Sequence, residues 1–178
     1  MTQGETKNNK NWVIKAFILT FFLALIISGI SNIIVEKCGF IVLLLITIII
    51  ILIGIIADII GTAVLTANEA TFHAKASNKI RGARESIKLI KNSSNIANFC
   101  NDIIGDICGI VSGSMGTMIA IYTATRLTVN NTLTTLLISS IISSIMVGGK
   151  AIGKNIAVKK SDEIIFTVGH ILSKFKKK

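Results

Sequence analysis

Residues 40–67 read FIVLLLITIIIILIGIIADIIGTAVLTA, an apolar run whose one charged side chain is Asp58. The run is longer than the about 20 residues a helix needs to cross the hydrocarbon core of a bilayer. It lacks the short, alternating segments of a membrane β-barrel. Three further windows have the same character: Trp12–Val35, Ile96–Ile121 and Leu133–Val147. With 51% hydrophobic residues, a mean hydropathy of +0.72 and no proline in 178 residues, the chain reads as an all-α integral membrane protein with four transmembrane helices. The first window follows Lys7, Lys10 and Lys15, but its apolar run exceeds an ordinary signal-peptide core and a clear small-residue cleavage site is lacking, so it reads as a retained helix.

The net charge of +10 follows membrane side rather than nucleic-acid binding. Lys37 and Arg126 are the basic residues of the short connections after the first and third windows. The others lie at the N-terminus, between the second and third windows, or at and beyond the inner end of the fourth. Basic residues accumulate on the cytoplasmic side, which predicts a multi-pass protein of the cell membrane with both termini cytoplasmic. The expected organisation is a cytoplasmic tail (1–11), an N-terminal transmembrane helix (12–37), a transmembrane domain (38–158) that includes a juxtamembrane segment (68–95), and a basic amphipathic C-terminal helix (159–178). The short connection Glu36–Gly39 predicts a tight turn between antiparallel helices.

Within 68–95, Lys75, Lys79, Arg81, Arg84, Lys88 and Lys91 accompany Ile80, Ile87 and Ile90 at helix-compatible spacing. In the C-terminal stretch, Ile164, Ile165, Val168, Ile171, Leu172 and Phe175 recur at three- and four-residue steps before a lysine-rich end. Both read as basic helices lying on anionic lipid. Ser93 and Ser94 are candidate N-caps for the third span. Cys38, Cys100 and Cys108 show no C-x-x-C spacing and read as packing residues, and His73 and His170 as interfacial ones. The serines of the fourth span, Ser139, Ser140, Ser143 and Ser144, have no accompanying base, so no enzyme active site and no organic cofactor are expected.

The chemistry concentrates on four polar residues in apolar surroundings: Asp58, Asn101, Asp102 and Asp106. A charged group at the centre of a membrane helix costs roughly 2.5–3.5 kcal/mol on insertion scales, so such residues face a partner, a bundle interior or an ion path. Asp58 lies about 12–13 Å from the inner end of the second span, and the other three begin a similar distance into the third. All four therefore share a level in the inner half of the membrane. Asp102 and Asp106 are related by i,i+4, with Asn101 about 100° away. Gly105, Gly109, Gly113 and Gly116 add a small-residue seam continuous with Asn101. Clustered carboxylates in low dielectric repel one another, and a hard divalent ion such as magnesium, which prefers about six oxygens, offsets that repulsion. The competing reading is that these groups hydrogen-bond to serine and threonine across helices and simply hold the bundle together.

The run DIIGTAVLTANEATFHAKASNKIRGARESIKLI (58–90) resembles the signature of the CorB/CorC and cyclin-M magnesium transporters, with Thr62, Ala63, Val64 and Asn68 on matching positions. FCNDIIGDICGIVSG (99–113) is similar to the family's IGNNLVN opening of the next helix, Asn101 and Asp102 falling on its asparagine pair. GGKAIGKNIAVKKSDEII (148–165) is similar to FGEIIPK followed by a basic stretch. The resemblance spans about residues 45–175. It implies a homodimeric transmembrane domain that transports magnesium, with sodium-coupled export, through Asp58, Asn101 and Asp102. Adding Asp106 from the residue pattern gives the expected ligand set, with the lipid bilayer and the magnesium ion as partners and no nucleic acid. Lys150 stands where the family has glutamate and Gly153 where it has proline. That departure opens the alternative of a non-transporting membrane interaction or regulatory protein in which Lys150 pairs with Asp58 or replaces the ion.

Overall fold

The computed structural model describes residues 3–175; within the first helix, side chains are described at 14, 17–22, 25, 26 and 29, and then from 39 onward. The described residues are almost wholly helical: α1 (Gln3–Thr66), α2 (Glu69–Ser77), α3 (Ala83–Lys91), α4 (Ser93–Ala97), a π-helical segment (Asn98–Ile104), α5 (Gly105–Leu127), α6 (Asn131–Lys159) and α7 (Ser161–Phe175). Three stretches are long and apolar enough to cross a membrane: Gly39–Thr66, Ser93–Leu127 and Asn131–Lys159. The protein thus has three candidate spans among the described residues. The expected first span, Trp12–Val35, is helical within α1, but most of its side chains lie outside the described residues.

α1 departs from helical geometry at one residue, Gly39, with φ 76° and ψ 175°. A residue with a Cβ avoids that conformation, so glycine localises the break. The expected tight turn over Glu36–Gly39 is therefore confined to its last residue. Helix begins at Gln3, so the polar stretch expected to be a tail is helical from its third residue.

By its contacts the chain divides into two compact units, Met1–Ile51 with Ile107–Ser144, and Leu52–Asp106 with Ile145–Lys178. In the first, Leu43, Thr47 and Ile51 are buried, as are Val111, Met115, Ile119 and Ile142. The Thr47 hydroxyl donates to the Leu43 carbonyl (2.8 Å) and lies 3.4 Å from the Met115 sulfur, so its polarity is satisfied inside the helix. Gly116 admits Ile142, whose Cδ1 would lie 2.7 Å from an added Cβ. Phe40 stacks on Tyr122 at 5.5 Å, and the Arg126 guanidinium lies over the same Tyr122 ring.

The second unit carries the conspicuous core. Ala63 and Val64 from the end of α1, Phe72 from α2, Ala97 from α4, Ala157 from α6 and Ile165 from α7 are all buried together, with Ile87, Ile90, Ile164 and Phe166 packed around them. The two basic segments therefore fold on each other and on the ends of the spans. Their break is local: Lys79 (φ 56°) and Gly82 (φ 94°) take left-handed conformations and divide 68–95 into α2 and α3. Ile80 falls in that turn and is 43% exposed, whereas Ile87 and Ile90 reach the core as the periodicity predicts. Asn68 caps α2 by accepting from the Ala70 amide, and its own amide donates to Asp162 at 2.9 Å, tying α2 to α7. The expected caps Ser93 and Ser94 lie inside α4, whose N-cap is Asn92 without a side-chain bond.

α6 extends to Lys159, well past the predicted end at Val147. Two glycines explain how it continues beside α1: an added Cβ on Gly149 would meet Ile55, and one on Gly153 would lie 2.8 Å from Ile59 Cγ1. The isoleucines and the glycines are each four residues apart, so two knobs seat in two adjacent gaps. Of the expected small-residue seam, Gly116 admits Ile142 and Gly105 lies against Lys150, whereas positions 109 and 113 have no atom within 4 Å of an added Cβ. Gly153→Leu is expected to lower stability by about 1–3 kcal/mol through overpacking, and Gly113→Ala to leave it within about 0.5 kcal/mol of the parent; thermal unfolding followed by circular dichroism in detergent checks both.

Candidate functional site

All four expected ligands belong to the second unit, and its geometry sorts them into two groups. Asp58 is buried, 3% exposed, on the face of α1 that carries Ile55 and Gly61 one turn to either side. Its Oδ2 accepts no hydrogen bond among the described residues and lies 3.7 Å from the Lys154 ammonium of α6. That separation is beyond hydrogen-bond reach, so the attraction is Coulombic and leaves the oxygen unpaired. The Lys154 side chain is 56% exposed. Its charge is partly hydrated, and the pair is weaker than an enclosed one.

Asn101 comes from the π-helical segment. Its side-chain oxygen is buried without a donor and occupies the space left by the missing Cβ of Gly61. Gly61 follows Asp58 by three residues, so the amide oxygen of Asn101 meets α1 one turn from the Asp58 carboxylate. A glycine is required here because any side chain would displace Asn101. The π-helical backbone is part of the same arrangement: the Gly105 amide bonds the Cys100 carbonyl five residues back, and that wider turn sets the rotation of Asn98–Ile104 about the axis.

Asp102 and Asp106 face away from this point. Both are exposed, and Asp106 lies 4.0 Å from the Lys150 ammonium with its side chain 69% exposed. Lys150 is mostly buried and donates to the Gly105 carbonyl at 3.1 Å. The expected convergence of four ligands therefore reduces to Asp58 and Asn101. The physical reason is geometric: Asn101, Ile103 and Gly105 turn inward on the Ser93–Leu127 span, and the i,i+4 pair Asp102 and Asp106 shares the opposite flank. Among the described residues, no cluster of three or more His, Cys, Asp or Glu is arranged to hold a metal.

No protein-family model, curated protein or solved structure matches the chain. The site therefore has to be judged on its own atoms.

On those atoms, the expected pairing of Lys150 with Asp58 is corrected. Lys154 faces Asp58, while Lys150 faces the carbonyl of Gly105 and Asp106. Lys150 and Lys154 are themselves four residues apart on α6, and that spacing was the available signal for two neighbouring lysines on one face. The histidines lie outside the three candidate spans, and each has a partner: His73 lies 3.1 Å from Glu69, and His170 Nδ1 lies 3.4 Å from the Arg81 carbonyl. Cys100 and Cys108 form no disulfide among the described residues, and the Cys38 side chain lies outside them.

The energetic signature of the Asp58 site is an order of effects. Lys154→Met leaves a buried carboxylate without its counter-charge and is expected to cost about 1–2 kcal/mol, less than for an enclosed pair because Lys154 is half hydrated. Adding Asp58→Asn to that variant is expected to recover most of the loss, since the unpaired charge is then gone. A double-mutant cycle on thermal unfolding reads both effects; additive losses would contradict the pairing.

Proposed function

We propose that the chain is a membrane domain that binds and moves a small hard cation, chiefly magnesium, using Asp58 and Asn101, with Lys154 as a tethered competitor for the same carboxylate. The observation that carries this reading is the pair of buried, undonated oxygens, Asp58 Oδ2 and Asn101 Oδ1, meeting α1 within one turn of each other. A buried polar atom without a partner costs about 1–3 kcal/mol, and two such oxygens, one on Asp58 and one against Gly61 a turn away, suit a common partner. A carboxylate and an amide oxygen are the donor types that magnesium prefers, and water completes its shell without a closed protein cage. Lys154 is exposed enough for its ammonium to withdraw when a divalent ion arrives. The resemblance to the CorB/CorC and cyclin-M transporters supports the same two positions. Under it, the homodimer and sodium coupling belong to the proposal as well.

The ligand set is narrower than the residue pattern suggests. Asp102 and Asp106 serve as exposed negative charge beside the site, where they raise local cation concentration without coordinating the bound ion. With three alternating spans, this reading puts residues 67–92 and 160–175 on one side of the membrane, and the excess of lysine and arginine in those stretches supports a cytoplasmic side.

A second reading is favoured by the Lys154–Asp58 separation of 3.7 Å: the ammonium stands permanently in place of the ion, and the chain is a non-transporting membrane interaction protein. Magnesium flux into proteoliposomes, together with calorimetric titration, separates the two. Transport predicts flux in the parent, a roughly tenfold or greater loss in Asp58→Asn and Asn101→Ala, tighter magnesium binding in Lys154→Gln, and a change below about twofold in Asp106→Asn. Absence of flux and binding in the parent, with binding gained in Lys154→Gln, would establish the second reading instead.

A further inference from the structure

Away from the spans, the turn between α2 and α3 encloses a hollow of about 350 Å³ whose wall includes Lys79, Arg81 and Arg84. Glu85 is the acid in its lining, and Glu85 also lies 4.0 Å from Lys88. The hollow is built by backbone geometry rather than by chance proximity of surface lysines. Lys79 and Gly82 hold left-handed conformations, and the Lys79 and Ile80 amides donate to Ala76 and Lys75 carbonyls at 3.0 and 3.1 Å, closing the turn. Gly82 then packs directly on α7, where an added Cβ would lie 2.8 Å from the His170 backbone. Ser86 locks the contact by donating to the Gly82 and Ile165 carbonyls, both at 3.1 Å.

The same turn starts α3, whose N-cap Gly82 provides no side-chain cap. The Ala83 amide donates to the Ile80 carbonyl at 3.3 Å, and the next two amides of the first turn, those of Arg84 and Glu85, have no intrahelical acceptor. Arginine presents a planar fork of donors suited to phosphate oxygens. The hollow also has an apolar border. Ile80 in its wall is 43% exposed, and Ser173, its contribution from α7, is flanked by Ile171 (49%), Leu172 (42%) and Phe175 (79%). Exposed apolar residues beside a cationic hollow, next to the ends of membrane spans, suit a molecule with an anionic head and acyl chains.

We infer that the α2–α3 hollow binds the phosphomonoester headgroup of a membrane lipid, through Arg81, Arg84, Lys79 and the start of α3. This site is separate from Asp58 and Asn101 and stands whether or not the chain moves cations. Its test uses the full chain in phosphatidylcholine nanodiscs, titrated with short-chain fluorescent phosphatidic acid. Saturable binding is expected. Arg81→Gln with Arg84→Gln should weaken it roughly tenfold or more, and Lys91→Gln with Lys159→Gln, an equal loss of charge outside the hollow, by less than about threefold. Glu85→Gln removes the acid from the lining and should tighten binding, a gain that a damaged fold would not give. Equal weakening by the two double variants would overturn the proposal in favour of diffuse surface charge. Inorganic phosphate binding as tightly as the lipid would overturn it in favour of a soluble ligand.

Discussion

A carboxylate at 3% exposure, within the apolar helical stretch Gly39–Thr66, is the constraint around which the second unit is arranged. Asp58 is tolerable there because α6 carries Lys154 alongside it, and α6 comes close enough because Gly149 and Gly153 leave room for Ile55 and Ile59. The close approach of the helices and the placement of charge are thus one solution. Enlarging either glycine pushes away the helix that carries the ammonium, and removing the ammonium leaves the carboxylate without its counter-charge.

Asn101 extends this arrangement from α1 and α6 to the Ser93–Leu127 span. Its oxygen enters the gap at Gly61, one turn from Asp58, and its orientation is set by the π-helical stretch at Asn98–Ile104. Below the spans, α2, α3 and α7 close over the ends of α1, α4 and α6 through Phe72, Ile165 and their neighbours. Lys75 stands 4.5 Å over the Phe166 ring and Asp162 accepts from Asn68, so polar contacts tie α2 to α7 around the apolar core. A packed assembly of this kind holds the ends of the spans in fixed register, which any site formed between their side chains needs.

Much of this was legible in residue order. Apolar length marked residues 40–67, 96–121 and 133–147, each of which overlaps one of the three candidate spans, and the cost of a charge in lipid pointed to Asp58. Asn101 was legible as a polar neighbour at the same depth. The fate of Asp102 and Asp106 was not, because depth along a helix says nothing about which flank of the Ser93–Leu127 span turns toward α1. The π-helical segment leaves no clear mark in composition, so the rotation it sets was also hidden. The G-x-x-x-G pattern on Gly105, Gly109 and Gly113 drew attention from the seam at Gly149 and Gly153, whose identity depends on two isoleucines more than ninety residues earlier. Similarly, the spacing of Ile80 with Ile87 and Ile90 suggested one helical face, but the left-handed turn at Lys79 and Gly82 cuts the segment in two.

The central claim is that Asp58 and Asn101 share one cation. Nuclear magnetic resonance of the asparagine-labelled protein, titrated with manganese as a paramagnetic substitute for magnesium, addresses it directly. The account predicts that the side-chain amide signal of Asn101 broadens first among the asparagines, and that magnesium or Asp58→Asn abolishes the effect. Broadening spread evenly over exposed asparagines, or an Asn101 signal untouched by manganese, would contradict it.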